Sequence, residues 1–314
     1  MAMNNVDYEK DLNEHQLEVV LHGDGAVLVL AGAGSGKTRT ITYRVAYLLE
    51  QGIHPQQILL LTFTNKAARE MLSRVAKLAG KNLGGLWGGT FHSIANRMLR
   101  LYAHKIGYTS SFTILDQEDT NSLIKTCLKE LNVDTKERRF PSPANIASIL
   151  SYARNASVPV RSVLEDKKSN FFSLYSVFDR LVEVYAQHKR DADAMDFDDL
   201  LLNLQKLLVE NPDICKQFSN QFRYVLVDEY QDTNVIQANI VRLLSATHKN
   251  ILVVGDDAQS IYSFRAACIR NILDFSRMYP SAKTFRLTTN YRSTPEILDI
   301  ANCSIGNNYD QFKK

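Results

Sequence analysis

The 314-residue sequence has little cysteine: Cys127, Cys215, Cys268 and Cys303 stand far apart and form no CxxC pair. Single thiols so widely spaced exclude a disulfide framework or a thiolate zinc site and fit reduced, structural cysteines. Long apolar runs are missing as well; none approaches the roughly 18 residues of a membrane span. The opening MAMNNVDYEK has neither a basic start nor an apolar stretch behind it, so it lacks the form of a secretory signal. These absences predict a cytoplasmic chain without a membrane partner. Charge of one sign is scarce too: 37 Lys and Arg face 34 Asp and Glu, a net +3, and a sum so small argues for no particular partner. No internal repeat, low-complexity stretch or flexible linker stands out, and 45% hydrophobic with 23% charged residues excludes disorder and collagen-like repeats.

What the chain does have is a set of short apolar runs: AVLVLA (26–31), QILLLTF (57–63), YVLVDE (224–229) and NILVVGD (250–256), with a weaker one in KTFRLTT (283–289). Such runs predict strands buried on both faces. Helix-period segments lie between them, such as 38–50, 66–79 and 92–105. The alternation predicts an α/β fold, a parallel sheet with helices on both faces. Ligands of such sheets bind beyond the carboxyl ends of the strands, and each apolar run here is followed by polar or glycine-rich residues. From about 114 to 191 the strand runs stop. There DTNSLIKTCLKELN, PANIASILSYARN and FFSLYSVFDRLVEVYAQHKR read as amphipathic helices of an inserted all-helical subdomain. Near the end, RSTPEILDIAN opens a helix with Ser293 or Thr294 as cap and Pro295 in its first turn. The short stretch that follows is too little for another domain, so the sequence reads as cut off there.

AGAGSGKT (31–38) follows the first apolar run and opens a helix, the context in which a GxxxxGK[ST] match is specific. Ala33, Gly34, Ser35 and Gly36 would turn backbone N–H groups inward around phosphates. Lys37 would reach the β/γ phosphates of ATP, and Thr38 would hold Mg²⁺. The first position is Ala31 where the pattern has glycine, but Gly32, Gly34 and Gly36 keep the loop permissive. VLVDEYQD (225–232) places Asp228 and Glu229 at the end of a buried strand, where charge is costly unless it faces a ligand or metal. Beside a phosphate loop, Asp228 would organise Mg²⁺ and Glu229 would orient or deprotonate the attacking water.

A third stretch, GDDAQSIYSFRAA (255–267), crowds carboxylates, an amide, two aromatics and an arginine behind the last strong run. AGAGSGKT, LTFTNKAAREM (61–71), GTFHSIA (89–95), VDEYQDTN (227–234), GDDAQSIYSFRAA and LTTNYRS (287–293) stand in one order along the chain. That order resembles the UvrD/Rep/PcrA-like superfamily 1 DNA helicases, and LNEHQLEVV (12–20) is similar to their glutamine motif. The resemblance covers nearly the whole chain. It implies a RecA-like P-loop NTPase motor domain at 1–113 and 192–285, a helical insert at 114–191, and the first strand and helix of a second motor domain at 286–314.

By the same resemblance Gln16 reads the adenine edge, Tyr291 stacks on the base, and Arg39 flanks its other face. Gln259 senses the γ-phosphate and the water, and Arg292 acts as an arginine finger. The implied DNA contacts are Phe63, Thr64 and Asn65, then Thr90, Phe91 and His92, then Tyr262, Phe264 and Arg265. Aromatics there would stack on bases with little sequence preference; Phe91 reads as core, Phe63 equally as core or contact, and His92 equally as a cap or core histidine. The family usually has tryptophan at Phe264 and glycine at Ala266, so the stacking face here is smaller. Gln259 and Phe264 are at most about 17 Å apart, and Tyr262 and Phe264 should share a face only if their segment is extended.

Between Lys125 and Arg190 the insert carries 12 Lys and Arg against 7 Asp and Glu, which suits phosphate contacts or a solvated helix surface. The acid run DAMDFDDLL (193–201) needs no metal at a helix N-terminus. The resemblance implies Mg²⁺-dependent ATP hydrolysis stimulated by single-stranded DNA or a duplex/single-strand junction. In the full-length enzyme this is coupled to 3′–5′ movement; this chain alone should bind nucleotide, hydrolyse it poorly and unwind nothing. The motor part of a helicase-nuclease subunit, or a DNA-binding module with a weak nucleotide site, are the alternatives. Stacking itself does not separate DNA from RNA.

Overall fold

The computed structural model describes residues 6–80, 83–135, 140–308 and 311–312. Its centre is a six-stranded, all-parallel sheet. The strands are β1 (Val27–Ala31), β2 (Ile58–Thr62), β3 (Trp87–Thr90), β6 (Tyr224–Val227), β7 (Ile251–Gly255) and β8 (Lys283–Leu287), in the order β3-β2-β6-β7-β1-β8. Two short strands, β4 (Thr113–Ile114) and β5 (Ala194–Met195), pair with each other alone.

The apolar runs are nearly continuous because alternate residues enter two cores. Leu28, Leu30, Leu59, Leu61, Val225, Val227 and Val253 face one side, against the helices Phe91–Tyr102, Phe197–Glu210 and Val235–Leu244. Val27, Val29, Leu60, Leu226, Leu252 and Val254 face the other, against Lys37–Glu50 and Asn65–Ala79. Both faces are covered, as the α/β pattern requires.

Two strand assignments differ from the sequence reading. β3 has the composition WGGT, with two glycines that weaken strand propensity; it is a strand because it pairs with β2 from Leu59–Trp87 to Thr62–Thr90. The division expected between 285 and 286 falls inside β8, whose five residues all pair with β1. The strand assigned to a second unit is therefore this sheet's edge. The helix after it, Pro295–Ile305, buries none of its residues; Thr294 is its N-cap residue but makes no side-chain cap bond.

The described residues of the insert form the helices Gln117–Glu130, Pro143–Ala156, Val160–Lys167 and Tyr175–Asp191, which pack a third core from Ile124, Ile149, Leu150, Leu164, Phe178 and Leu181. The chain leaves and re-enters the sheet unit at one place. Thr113 N–H donates to Asp193 O at 2.9 Å, and Leu115 N–H to Met195 O at 2.8 Å. The acid run lies here. Asp196 caps the helix Phe197–Glu210 in a capping box with Asp199, and both carboxylates bind Lys189 and Arg154 of the insert. Ion pairing and capping account for these acids. Among the described residues no helix is long and apolar enough to cross a membrane.

Candidate nucleotide and nucleic-acid site

Every candidate residue except Gln16 and Arg39 lies at or beyond the carboxyl end of a strand, and the strand order sorts them. The phosphate loop follows β1, the acids follow β6, and the Gln259 turn follows β7, which lies between those two strands. Phe63, Thr64 and Asn65 follow β2, and Thr90 and His92 lie at the end of β3, on the far side of β6.

The loop Gly32–Gly36 leads into the helix Lys37–Glu50, with Gly36 as its N-cap in the left-handed region at φ +88°. A side chain there would be strained, and its Cβ would lie 2.5 Å from Gln16 Nε2. Ser35 closes the turn, its Oγ donating to Gly32 O at 2.7 Å. Lys37 is buried, with Nζ 3.4 Å from Glu229 Oε2. The helix start and the Lys37 ammonium thus converge beside the acids.

Asp228 is buried and tied to the neighbouring strand, its N–H donating to Leu61 O at 2.9 Å. Burial and the Glu229 charge push its carboxyl up to about 7, against the pull of Lys37. A buried acid held back from ionising is one that a cation would stabilise, which suits a metal ligand. Mg²⁺ takes one or two protein ligands and otherwise phosphates and water, so one buried carboxylate within reach of the Lys37 charge is enough on the acid side. Among the described residues no cluster of three or more His, Cys, Asp or Glu could hold an ion alone. Glu229 has φ +51°, a strained conformation for a side-chain-bearing residue and one that gathers at functional sites. Its Oε2 also accepts from Gln231 Nε2 at 2.9 Å.

On the base side, Gln16 is buried with both ends of its amide engaged. Nε2 donates to Ser35 O at 3.0 Å, and Oε1 accepts from Asn13 N–H at 3.3 Å. It braces the phosphate loop. Tyr291 is exposed; its N–H donates to Gly34 O at 2.9 Å and its hydroxyl accepts from Asn13 Nδ2 at 2.7 Å. Arg292 follows it, and a Cβ on Gly34 would lie 2.6 Å from Arg292 Cβ. Arg39 donates to Asp11 O at 2.7 Å and lies over the Tyr43 ring. Gln259 Nε2 donates to Asp256 Oδ2 at 2.6 Å.

At the other end the rings meet. Phe63 and Tyr262 stack at 5.5 Å between centroids, Phe264 follows at 5.8 Å, and the Arg265 guanidinium lies within 5.6 Å of both later rings. Ser263–Arg265 is a single 3-10 turn, so the expectation that Tyr262 and Phe264 meet only on extended backbone is overturned. Tyr262 precedes the turn with ψ 25°, and this bend brings the rings together. Ala266 ends the turn at φ +62°, the left-handed geometry for which glycine is suited. Thr64 and Thr90 cap the helices behind them, accepting from Ala67 and Ser93 N–H. Asn65 is exposed, and Phe91 is core, 4% exposed.

Burial lowers the His92 imidazole below its ordinary value, against the Asp198 charge. Its ring lies 6.0 Å from Phe197, which is 57% exposed. Phe197 escaped the sequence reading because it sits inside the acid run; a lone aromatic at a helix start was the available signal.

The UvrD/REP helicase N-terminal domain matches residues 12–280. The ATP-dependent DNA helicase PcrA of Staphylococcus epidermidis is 43% identical over 309 residues, 97% of this chain and 41% of that protein. PcrA of Staphylococcus aureus is 42% identical over 307 residues, 96% of this chain and likewise 41% of its own length. The chain therefore spans about two fifths of the length of these curated relatives. Since the domain match runs through the phosphate loop, both acids and the Tyr262 turn, the chain belongs to the UvrD/Rep helicase family.

Proposed function

We propose that this chain is the ATP-binding motor part of a 3′–5′ translocase: by itself it binds ATP with Mg²⁺ and hydrolyses it poorly, and in the full-length enzyme that reaction is coupled to single-stranded DNA. The observation that carries the reading is the approach of Lys37 to Glu229 at 3.4 Å, with Asp228 adjacent and a glycine-built helix start beside them. These are the parts that phosphoryl transfer needs: a phosphate cradle, a cation and an acid for water. Mg²⁺, when bound, would neutralise charge on the phosphates, with Thr38 and Asp228 as its protein ligands. Lys37 holds the phosphates, Glu229 takes up or directs the water proton, and Arg292, whose Cβ lies beside Gly34, would act as the arginine finger. Tyr291 offers a face to the base. Phe63, Tyr262, Phe264 and Arg265 form the stacking platform for DNA, with His92 and Phe197 continuing it toward β3. The curated relatives are DNA helicases by name, and that supports DNA over RNA as the strand.

The test is nucleotide titration followed by turnover with and without single-stranded DNA. Lys37→Ala should lower ATP affinity at least about tenfold while DNA affinity stays within about twofold. Equal ATP binding by the variant would refute the reading.

A further inference from the structure

We propose that Gln231 is a positioning residue for hydrolysis: its buried amide holds the Glu229 carboxylate and joins it to the Asp256–Gln259 turn, so that acid and turn move as one unit. This rests on the reading of Glu229 as the acid that handles the attacking water.

Gln231 is 1% exposed, and both ends of its amide are engaged in opposite directions. Nε2 donates to Glu229 Oε2 at 2.9 Å, and Oε1 accepts the Asp256 backbone N–H at 3.0 Å. An amide offers donors at one end and an acceptor at the other; no apolar side chain could make either bond, and a carboxylate could make only the second. Glu229 by itself is poorly fixed, with a long side chain that is 33% exposed. The Lys37 ammonium and the Gln231 amide both converge on its Oε2, which orients Oε1, the oxygen left to meet a proton.

A second observation is independent of the hydrogen bonds. Gly255 ends β7, and a Cβ there would lie 2.6 Å from Gln231 Oε1 and 2.7 Å from Ile272 Cδ1. The strand is bare where the amide crosses it. Beyond the crossing, the Asp256 carboxylate accepts from Ala258 N–H at 3.1 Å and from Gln259 Nε2 at 2.6 Å. Ser260 Oγ donates back to Gln231 O at 3.4 Å. Two hydrogen bonds therefore separate Glu229 from the turn that carries Gln259, and Tyr262 follows three residues later. Movement of the aromatic platform reaches the acid through Gln231. A misplacement of about 1 Å at a reacting group costs on the order of 10²-fold in rate, which sets the scale of the effect.

The experiment uses this chain with Gln231→Leu and Gln231→Glu, the second keeping size and the bond to Asp256 N–H while losing the donor to Glu229. Single-turnover cleavage of labelled ATP, with protein in excess, is followed with and without a single-stranded oligonucleotide. ADP affinity, the affinity of ADP with aluminium fluoride, and thermal melting are measured alongside. Both variants should fall about 10- to 100-fold in cleavage rate and lose the response to DNA. They should bind the aluminium fluoride complex at least tenfold more weakly and keep ADP affinity within about twofold. A folded variant with wild-type cleavage and wild-type affinity for the mimic would overturn the proposal. So would a loss of ADP affinity as large as the loss of rate, which would make Gln231 part of the wall only. Glu229→Gln separates the two levels. If it retains the wild-type rate, the reading of Glu229 fails; if it is inactive while the Gln231 variants cleave normally, the positioning role alone fails.

Discussion

Lys189→Met tests the junction between the helical insert and the sheet unit. Lys189 is 2% exposed and lies in the helix Tyr175–Asp191; its ammonium is 2.6 Å from Asp196 Oδ2 and in contact with Asp199. At 2.6 Å and an effective dielectric of about 20, one such pair is worth about 6 kcal/mol before desolvation. Burial offsets part of that, and Arg154, 3.0 Å from Asp196, remains to compensate in the variant. Breaking a buried pair from one side typically costs about 3 to 5 kcal/mol, so that is the expected loss in denaturant unfolding. This is a large share of the roughly 5 to 15 kcal/mol that holds a domain.

Salt and pH supply the refuting results. A buried pair is screened little, so the loss should persist to about 1 M salt, where exposed pairs are screened beyond about 3 Å. Burial alone would raise the Asp196 carboxyl, but Lys189, Arg154 and the Asp199 N–H outweigh it and hold it far below the usual range. An acid with a depressed folded pKa contributes stability above its unfolded value, about 4, and loses it as pH falls through the folded value. Burial and the Asp196 charge raise Asp199 instead, so its contribution has the opposite sign and blunts the slope. The difference between wild type and Lys189→Met should therefore be widest near neutrality and narrow below about pH 4. A loss under about 1 kcal/mol, or one that vanishes in salt, is the behaviour of a surface pair and would refute the argument.

Other outcomes follow from single positions. Gly36→Ala, at φ +88° and with its Cβ 2.5 Å from Gln16 Nε2, should weaken ATP by at least about tenfold in titration calorimetry, since the strain alone is about 1 to 2 kcal/mol; unchanged affinity would mean the loop is no phosphate cradle. Phe264→Ala should weaken single-stranded DNA by about 5- to 150-fold in anisotropy titrations, the worth of one base stack, whereas Phe264→Trp should tighten it. The salt slope of binding should not change in either, because no phosphate contact is lost. Ala266→Gly should stabilise the chain by about 1 kcal/mol in thermal melts by relieving φ +62°; a loss would show that entropy outweighs the strain there.

The four strong apolar runs announced β1, β2, β6 and β7 because parallel strands covered on both faces need apolar side chains at every position. β3 and β8 were harder to read for opposite reasons. WGGT becomes a strand only through its pairing with β2, a tertiary effect that local propensity does not carry. KTFRL is an edge strand whose exposed residues dilute the apolar signal. In the site, motif order led to loops that lie together at the carboxyl ends of the strands, but order is silent on what each side chain touches. Gln16 braces Ser35 O, Gln259 rests on Asp256, and the amide with the most telling contacts, Gln231, stood unremarked between two acids. Side-chain contacts of that kind are set by the parallel pairing of β6 with β7, which one-dimensional spacing does not encode.

That pairing also constrains how the two ends of the site can communicate. β6 and β7 lie between the strand that carries the phosphate loop and those that carry Phe63 and His92, so any signal between nucleotide and nucleic acid crosses their ends. One path runs from the Tyr262 turn along its backbone to Asp256 and through Gln231 to Glu229. A second starts at Phe63, stacked on Tyr262, and passes two residues back along the chain to Leu61, whose carbonyl holds the Asp228 N–H at 2.9 Å. On the proposed function, the first path ends on the acid that would meet water and the second on the acid that would hold the metal. A base displacing Tyr262 from Phe63 would act on both at once, whereas a change at Phe264 alone would act only through the turn. Loss of Phe63 should therefore disturb metal dependence and rate together, and loss of Phe264 should disturb DNA affinity and rate while leaving the Mg²⁺ requirement unchanged.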